Sequence, residues 1–205
     1  FAIYGIDYLK PALVYVVITV VLLLAFLIIA YPLVIALGAK LNPFTFIRKI
    51  ANVAVFGFST SSSAATLPLN IKVCEEEFGV DESIASFVLP LGMTINMDGT
   101  AIYQCVATIF LATCCGMTLT VGQMVTIVVT ATLASIGTAG TPGAGMIMLA
   151  MVLEAMNIPV DMIMLIYGID RLFDMGRTCL NITGDISCAL CVTKWENKKA
   201  AQTAK

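Results

Sequence analysis

Long apolar runs alternate with short polar interruptions along this chain. The first run, residues 11–37, contains no charged residue, opens at Pro11 and is closed by Gly38. A helix of about 27 residues is about 40 Å long, enough to cross a hydrocarbon layer of about 30 Å with some tilt. The pattern predicts an ordinary membrane-spanning helix over residues 11–37.

Two shorter apolar arms follow, at residues 44–58 and 66–74. As helices they measure about 22 Å and about 14 Å, so neither spans a membrane. A serine-rich stretch, residues 59–65, separates them, and the acidic residues 75–77 return the chain to water. The pattern predicts a re-entrant hairpin over residues 43–77, and a polar kink in one continuous helix is the alternative.

The same pattern recurs over residues 121–157. Apolar arms at 121–136 and 146–156 flank the segment 137–145, which holds four glycines and a proline and cannot continue a helix. This predicts a second re-entrant hairpin. Two broken segments at corresponding places, each followed by an interrupted spanning helix, are typical of an inverted-repeat transporter with its site at the repeat interface.

The first interrupted helix covers residues 83–115 and carries the polar stretch Thr94 to Thr100 near its middle. Asp98 would lie near the membrane midplane, where a carboxylate costs several kcal/mol unless it faces protein, water or a cation. Asn96 and Gly99 predict an unwound turn whose free carbonyls can coordinate an ion. We interpret this stretch as the centre of an ion and solute site.

The second interrupted helix, residues 160–193, carries a polar face. Its members are Asp170, Asp174, Arg177, Thr178, Asn181 and Asp185. At 100° per residue they fall within an arc of roughly 100°. A soluble amphipathic helix is the alternative, but it conflicts with the apolar residues on the rest of the wheel. The face is predicted to line the same site.

Composition supports this setting. The chain is 60% hydrophobic and 12% charged, with a mean hydropathy of +0.98, which indicates an integral membrane protein. A net charge of -2 provides no basic face for nucleic acid. The seven cysteines are interpreted as reduced, buried packing residues. Since the sequence contains no histidine, the usual proton relay and general base are missing, which weakens every hydrolase interpretation.

Basic residues predict the topology. They are concentrated in the first loop, at Lys40, Arg48 and Lys49, and in the tail 194–205, at Lys194, Lys198, Lys199 and Lys205. The positive-inside rule places both in the cytoplasm, in agreement with two crossings between them. The chain starts at Phe1 without an initiator methionine or signal peptide, so we expect it to be a piece of a longer protein.

Four motifs occur in order: SSSAATLP (61–68), TINMDGT (94–100), ASIGTAGTPGAG (134–145) and DMGRTCLNITGD (174–185). Together they resemble the glutamate transporter family, the dicarboxylate/amino acid:cation symporters. The resemblance covers the chain from Pro11 and corresponds to the family's C-terminal half, the transport core. It implies that the missing N-terminal half supplies a homotrimeric scaffold and part of one sodium site. This chain alone is therefore not expected to transport.

The resemblance also implies a substrate site. Asp174 would bind the amino group of an acidic amino acid and Arg177 its side-chain carboxylate. Asn181 and Ser63 would hold the α-carboxylate. The pocket would be completed by Thr100, Gly145 and Thr178.

Three sodium sites are implied in the same way. One would use the Asp185 carboxylate with the carbonyls of Gly92, Asn96 and Asn181. A second would use the carbonyls of Thr94, Ser135, Ile136 and Thr138, with the Met97 sulfur nearby. A third would use the side chains of Asn96 and Asp98, completed by the missing half.

One position departs from the family pattern. Archaeal members carry a second arginine where this chain has Ser61, and animal members carry it where this chain has Met175. Arg171 lies one turn before Met175 and is a candidate replacement. The alternative is that Arg171 forms a structural ion pair with Asp174 or Asp170.

The charge balance of the site predicts cation coupling. Asp98, Asp174 and Asp185 against Arg177 leave a charge of -2, and an acidic substrate adds another -1. A low-dielectric site does not tolerate this excess, so about three cations should enter with the substrate. Sodium suits oxygen ligands, and proton coupling through the same aspartates stays open as the alternative.

The sequence thus predicts an all-helical sodium symporter of L-aspartate, L-glutamate or a related dicarboxylate in the plasma or inner membrane, not an enzyme. The resemblance implies elevator-type alternating access with the second hairpin as gate. An intramembrane serine hydrolase using the serines at 61–63 lacks a base, because the nearest lysine, Lys72, lies toward the water end of its helix. A channel lined by the polar face is a further alternative, which saturable sodium-dependent uptake would exclude.

Overall fold

The computed structural model describes residues 9–203, so the expectations about Phe1 and Lys205 concern residues outside this range. Within it the chain is helical and contains no strand, which confirms the all-helical prediction. The α-helices are α1 (Leu9–Ala25), α2 (Tyr31–Val34), α3 (Pro43–Thr60), α4 (Ser63–Phe78), α5 (Glu82–Ile95), α6 (Asp98–Cys114), α7 (Val121–Ile136), α8 (Ala144–Ala155) and α9 (Tyr167–Thr203). The membrane placement of the helix pairs and the inverted repeat stay predictions.

The N-terminal helix departs from the ordinary helix predicted over residues 11–37. It runs from α1 through α2 to Ala39, and two π-helical segments, Phe26–Ala30 and Ile35–Ala39, flank α2. Pro32 has no amide hydrogen, and its ring excludes the carbonyl four residues back, so the helix widens beside it. The amide of Tyr31 accordingly donates to the carbonyl of Phe26, five residues back.

The serine-rich interruption is narrower than its sequence suggested. Ser61, with a left-handed φ of 53°, ends α3, and Ser62 begins α4 by accepting a hydrogen bond from the amide of Ala65. The two helices pack against each other, which contradicts the alternative of one continuous kinked helix.

The other two breaks lie where polar and glycine residues predicted them. Asn96 and Met97 separate α5 from α6, and neither has helical backbone angles. Residues 137–143 separate α7 from α8, which pack on each other, and Gly143 begins α8 at a φ of 79°. A side chain at Gly143 would be strained, because only glycine adopts this conformation at little cost.

The last segment begins with a 3₁₀ helix, Val160–Leu165, and continues as α9, which is 37 residues long. Helix α9 is unbroken from Tyr167 onward, so the predicted interruption is absent from its polar face. Its helix does not end at residue 193 as predicted but continues to Thr203. Residues 194–203 contain no glycine or proline, and most of them are good helix formers.

Helix α9 is the central element, packed against α1, α3, α4, α5 and α6. One apolar cluster includes Phe173, and a second includes Ile182 and Ile186. The polar residues of α9 between these positions therefore lie between two apolar clusters. This arrangement fixes the helix that carries the candidate site.

Large apolar side chains also cover the outside. Leu13, Phe44 and Val121 are 64%, 77% and 78% exposed, more apolar surface than a soluble monomer usually shows. Within the described residues, the stretch Lys10–Ala39 is long and apolar enough to cross a membrane, although core helices of soluble proteins also meet that criterion.

Cysteine burial is mixed. All seven cysteines lie within the described residues and are free, and Cys74 is buried. Cys115 and Cys188 are exposed, so the prediction that all are buried packing residues is wrong for these two.

Asp81 begins α5 as its N-terminal cap, accepting hydrogen bonds from the hydroxyl and the amide of Ser83. These two bonds hold the pKa of the Asp81 carboxyl below its usual value.

Candidate functional site

All seven predicted substrate residues line one small cavity between α4, α6, α8 and α9. They are Ser63, Thr100, Gly145, Asp174, Arg177, Thr178 and Asn181. The volume of the cavity is only about 10 Å³. Residues more than a hundred positions apart in sequence, such as Ser63 and Asn181, therefore meet. Their individual binding roles stay predictions.

The Arg177 side chain is 1% exposed and is held at three points. Its Nη2 lies 2.7 Å from Oδ1 of Asp174 and 3.6 Å from Oδ1 of Asp170, and its guanidinium stacks 4.0 Å from the ring centre of Tyr103. Its Nε and Nη1 are buried and have no hydrogen-bond partner within the part of the chain that the structure describes. The guanidinium thus keeps unused donors, and these are suited to a carboxylate.

Gly145 gives this guanidinium its space. A Cβ atom at position 145 would lie 2.6 Å from Nη1 of Arg177, closer than real contacts allow. The carbonyl of Gly145 accepts a hydrogen bond from Nε2 of Gln104 at 3.3 Å. The start of α8 is therefore fitted to the Arg177 side chain.

Asp174 connects α9 to the beginning of α8. Its Oδ2 accepts a hydrogen bond from the amide of Gly143 at 3.0 Å and lies 3.8 Å from Nη1 of Arg171. The Arg171 side chain is 56% exposed and lines an outer cleft with Pro142 and Tyr167. This contact matches the structural ion pair that the sequence left open.

Asn181 is held by the break between α5 and α6. Its Oδ1 accepts a hydrogen bond from the amide of Gly99 at 2.8 Å. Its Nδ2 donates to Sδ of Met97 at 3.1 Å and to Oγ1 of Thr100 at 3.3 Å. The unwound turn therefore determines how this amide faces the cavity.

The four residues of the first predicted sodium site lie close together beside the break between α5 and α6. Nδ2 of Asn96 donates to the carbonyl of Asn181 and to Oδ1 of Asp185, both at 3.0 Å. A Cβ atom on Gly92 would lie 2.6 Å from the same Oδ1, so the Asp185 carboxylate lies directly against the Gly92 backbone. Two of the predicted ligand oxygens thus share one amide donor, and a third, the Gly92 carbonyl, accepts a hydrogen bond from the backbone amide of Asn96 at 2.7 Å.

The third predicted sodium site gains a residue that the sequence did not indicate. Asn96 and Asp98 flank the helix break, and the hydroxyl of Tyr31 donates to Oδ2 of Asp98 at 2.8 Å. A single hydroxyl in an apolar helix is a weak signal. Its position beside Pro32 is the only local feature that distinguishes it.

The second predicted sodium site is only partly assembled. Met97 and Thr138 line the cavity, whereas Thr94, Ser135 and Ile136 do not. The Thr94 side chain is exposed and bonds the Leu91 carbonyl of its own helix. The Ser135 carbonyl accepts from the amide of Thr138, and Ile136 is 44% exposed.

The tips of the two helix pairs touch at Gly140. Its carbonyl accepts hydrogen bonds from the Ser62 hydroxyl at 2.8 Å and the Ala64 amide at 3.0 Å. A Cβ atom at Gly140 would lie 3.2 Å from that amide nitrogen, so a side chain would push the tips apart. These contacts close one side of the cavity.

The sequence pattern placed Asp170 on the polar face but did not predict its ion pair with Arg177, and it did not indicate Tyr103. Asp170 lies on the predicted polar face two turns before Arg177, and its charge and spacing were a usable signal. Tyr103 follows the polar stretch by one turn, but its stacking on Arg177 depends on how α6 packs against α9. No sequence pattern indicates that contact.

A sequence model described as the sodium:dicarboxylate symporter family matches residues 1–195. The chain is 47% identical over 170 residues to a putative sodium-dependent excitatory amino acid transporter, glt-4, of Caenorhabditis elegans, covering 82% of this chain and 34% of the relative.

Two further relatives differ in the substrate that their names state. Excitatory amino acid transporter 3 of Mus musculus is 43% identical over 175 residues, covering 85% of this chain and 34% of the relative. Neutral amino acid transporter B(0) of Homo sapiens is 46% identical over 158 residues, covering 77% and 29%. The chain spans about a third of the length of the curated relatives that it matches.

Proposed function

Because the chain belongs to the sodium:dicarboxylate symporter family, we propose that it is the transport core of a sodium-coupled symporter of acidic amino acids or related dicarboxylates. The observation that carries this proposal is the buried guanidinium of Arg177, beside a cavity lined mostly by polar and small residues. Its Nε and Nη1 have no hydrogen-bond partner among residues 9–203. A buried charge with unused donors is suited to an anionic ligand.

Substrate binding exchanges ion pairs. Arg177 and Asp174 now bind each other at 2.7 Å. An amino acid with an acidic side chain brings a carboxylate for Arg177 and an ammonium for Asp174, so each internal charge gains a new partner. Since a buried charge without a partner is costly, both ends of the substrate are needed.

Sodium offsets the remaining negative charge. Asp98 and Asp185 lie near the helix break, and the structure adds two charges to the count from sequence, the buried Asp170 carboxylate and the Arg171 guanidinium beside Asp174. These two charges cancel, so the site stays at -2, an acidic substrate makes it -3, and about three sodium ions per substrate would neutralise the loaded site. Asn96 Nδ2, which contacts two of the predicted ligand oxygens, would give way to a cation at the first site.

Opening of the α7–α8 pair is the proposed gate. Its hydrogen bonds with the rest of the site are four: two to the Gly140 carbonyl, one from the Gly143 amide and one to the Gly145 carbonyl. Few bonds must break for this tip to move, and the glycines permit the backbone change. The exposed apolar helices would slide, as in an elevator, against a trimeric scaffold formed by the N-terminal half of the full-length protein.

The alternative to this proposal is a transporter of neutral amino acids, which the name of one relative suggests. The two functions differ in the substrate that is taken up. The test is uptake into proteoliposomes containing the full-length protein under an imposed sodium gradient. We expect uptake of L-aspartate or L-glutamate that is saturable and competed poorly by L-serine. Preferential serine uptake would overturn acidic specificity, and uptake driven by a pH gradient without sodium would favour proton coupling.

A further inference from the structure

We propose that Tyr31 is a positioning residue of the cation site at Asp98, contributed by the widened N-terminal helix; this rests on the proposed function. The Tyr31 side chain is 5% exposed, and its hydroxyl donates to Oδ2 of Asp98 at 2.8 Å. These two residues are 67 positions apart, so the contact joins α2 to the first residue of α6.

The helix around Tyr31 is adapted to this contact. The π-helical segments Phe26–Ala30 and Ile35–Ala39 lie on either side, and such segments are frequent at functional sites. The ring of Tyr31 packs edge-on against Phe26, 5.5 Å away, and belongs to a buried cluster with Leu23 and Leu180. The apolar part of the side chain is therefore fixed, and only its hydroxyl points to polar groups.

Gly184 leaves room for the Tyr31 hydroxyl on the side facing α9. A Cβ atom on Gly184 would collide with both the Tyr31 hydroxyl and Nδ2 of Asn96. Gly184 precedes Asp185, whose Oδ1 accepts from that same Asn96 amide. The hydroxyl of Tyr31 thus lies between the Asp98 carboxylate and the residues of the neighbouring predicted sodium site.

A carboxylate that binds a cation well is one whose orientation is fixed before the cation arrives. Tyr31 holds Oδ2 of Asp98 and leaves the second oxygen, Oδ1, for a cation. Hydrogen-bonding partners of this kind typically contribute about 10- to 100-fold to metal affinity. We therefore assign Tyr31 a role in sodium affinity exerted through Asp98.

The test is Tyr31→Phe in the full-length protein, with Tyr15→Phe as the matched control. Tyr15 is a buried tyrosine of α1 whose hydroxyl has no hydrogen-bond partner. The sodium concentration that gives half-maximal L-aspartate binding should rise about tenfold in Tyr31→Phe and stay unchanged in Tyr15→Phe. Binding at saturating sodium should be retained.

A second measurement separates positioning from a general structural role. If Tyr31 acts through Asp98, Tyr31→Phe should have no further effect on sodium dependence in an Asp98→Asn background. The midpoint of thermal unfolding, measured over a range of sodium concentrations, reports sodium binding without transport. It should shift less with sodium in Tyr31→Phe than in the wild type.

The inference is overturned if Tyr31→Phe binds sodium as tightly as wild type or more tightly, or if Tyr15→Phe shows the same loss. An undiminished effect in the Asp98→Asn background overturns it as well. If the wild-type protein binds L-aspartate without any sodium dependence, the proposed sodium coupling fails, and with it the premise of the inference. The two failures are therefore distinguishable.

Discussion

Arg177 is the residue on which the proposed substrate class depends. Its spacing places it on a polar helix face, and the family resemblance implies that it binds a carboxylate. Its stacking on Tyr103 and its contact with Gly145 depend on the packing of α6 and α8 against α9. Side-chain contacts between distant elements leave no local periodic signal, so these partners were found only in three dimensions.

Replacing Arg177 with cysteine should change the substrate class. An acidic substrate would lose the partner of its side-chain carboxylate, so L-aspartate should bind at least about a hundredfold more weakly. L-serine or L-alanine carries no such charge and should bind with retained sodium dependence. Competition binding to the full-length protein measures the affinities for the acidic and the neutral amino acids. Arg171→Cys, in which the neighbouring exposed arginine is removed, is the control. Near wild-type aspartate affinity in Arg177→Cys would transfer the role to Arg171.

Asp185→Asn should weaken sodium binding and act on the substrate only through sodium. Cation and substrate stabilise the same closed state, so a loss in one appears in the other by the same factor. We expect lower apparent L-aspartate affinity at limiting sodium and recovery at saturating sodium. Asp161→Asn, an exposed acidic position, is the control. An equal loss at all sodium concentrations would make Asp185 a direct substrate contact.

At the scale of elements, the helix breaks were predictable and the helix ends were not. Glycine, proline and clustered polar residues marked the interruptions at 61–62, 96–97 and 137–143. The π-helical segments beside Pro32 were missed because a proline indicates a disturbance without indicating which geometry relieves it. The extension of α9 to Thr203 could not be predicted from the charged residues after Thr193. Charge indicates where a membrane segment ends, but it does not indicate where the helix itself ends.

The gate can be tested with a cysteine at Thr141, an exposed residue of the α7–α8 tip. A membrane-impermeant thiol reagent should modify it in the substrate-free protein, and L-aspartate with sodium should protect it, because closure covers the tip. The protein used for labelling also carries the substitutions Cys115→Ser and Cys188→Ser, because these two exposed cysteines would otherwise react with the reagent. Thr118→Cys, away from the tip, should react equally in both conditions. Equal labelling of Thr141→Cys with and without ligand would mean that this tip is not the gate.

At the scale of the whole molecule, the composition predicted an integral membrane protein, and the four motifs predicted the family. The convergence of α4, α6, α8 and α9 on one cavity was an implication of the resemblance, since no local pattern brings Ser63 to Asn181. The structure adds the pairings within that cavity: Arg177 with Asp174, and Asn96 with Asp185. In the proposed function, substrate and sodium bind together because each replaces one of these internal partners.

The heat of L-aspartate binding to the full-length protein, measured with sodium and with sodium replaced by choline, tests this coupling most directly. Sodium and substrate each neutralise charge that the other leaves exposed, so one should bind poorly without the other. We predict a saturable binding heat in sodium and none measurable in choline at the same L-aspartate concentrations. An equal affinity in the two solutions would contradict a site that couples sodium to an acidic substrate.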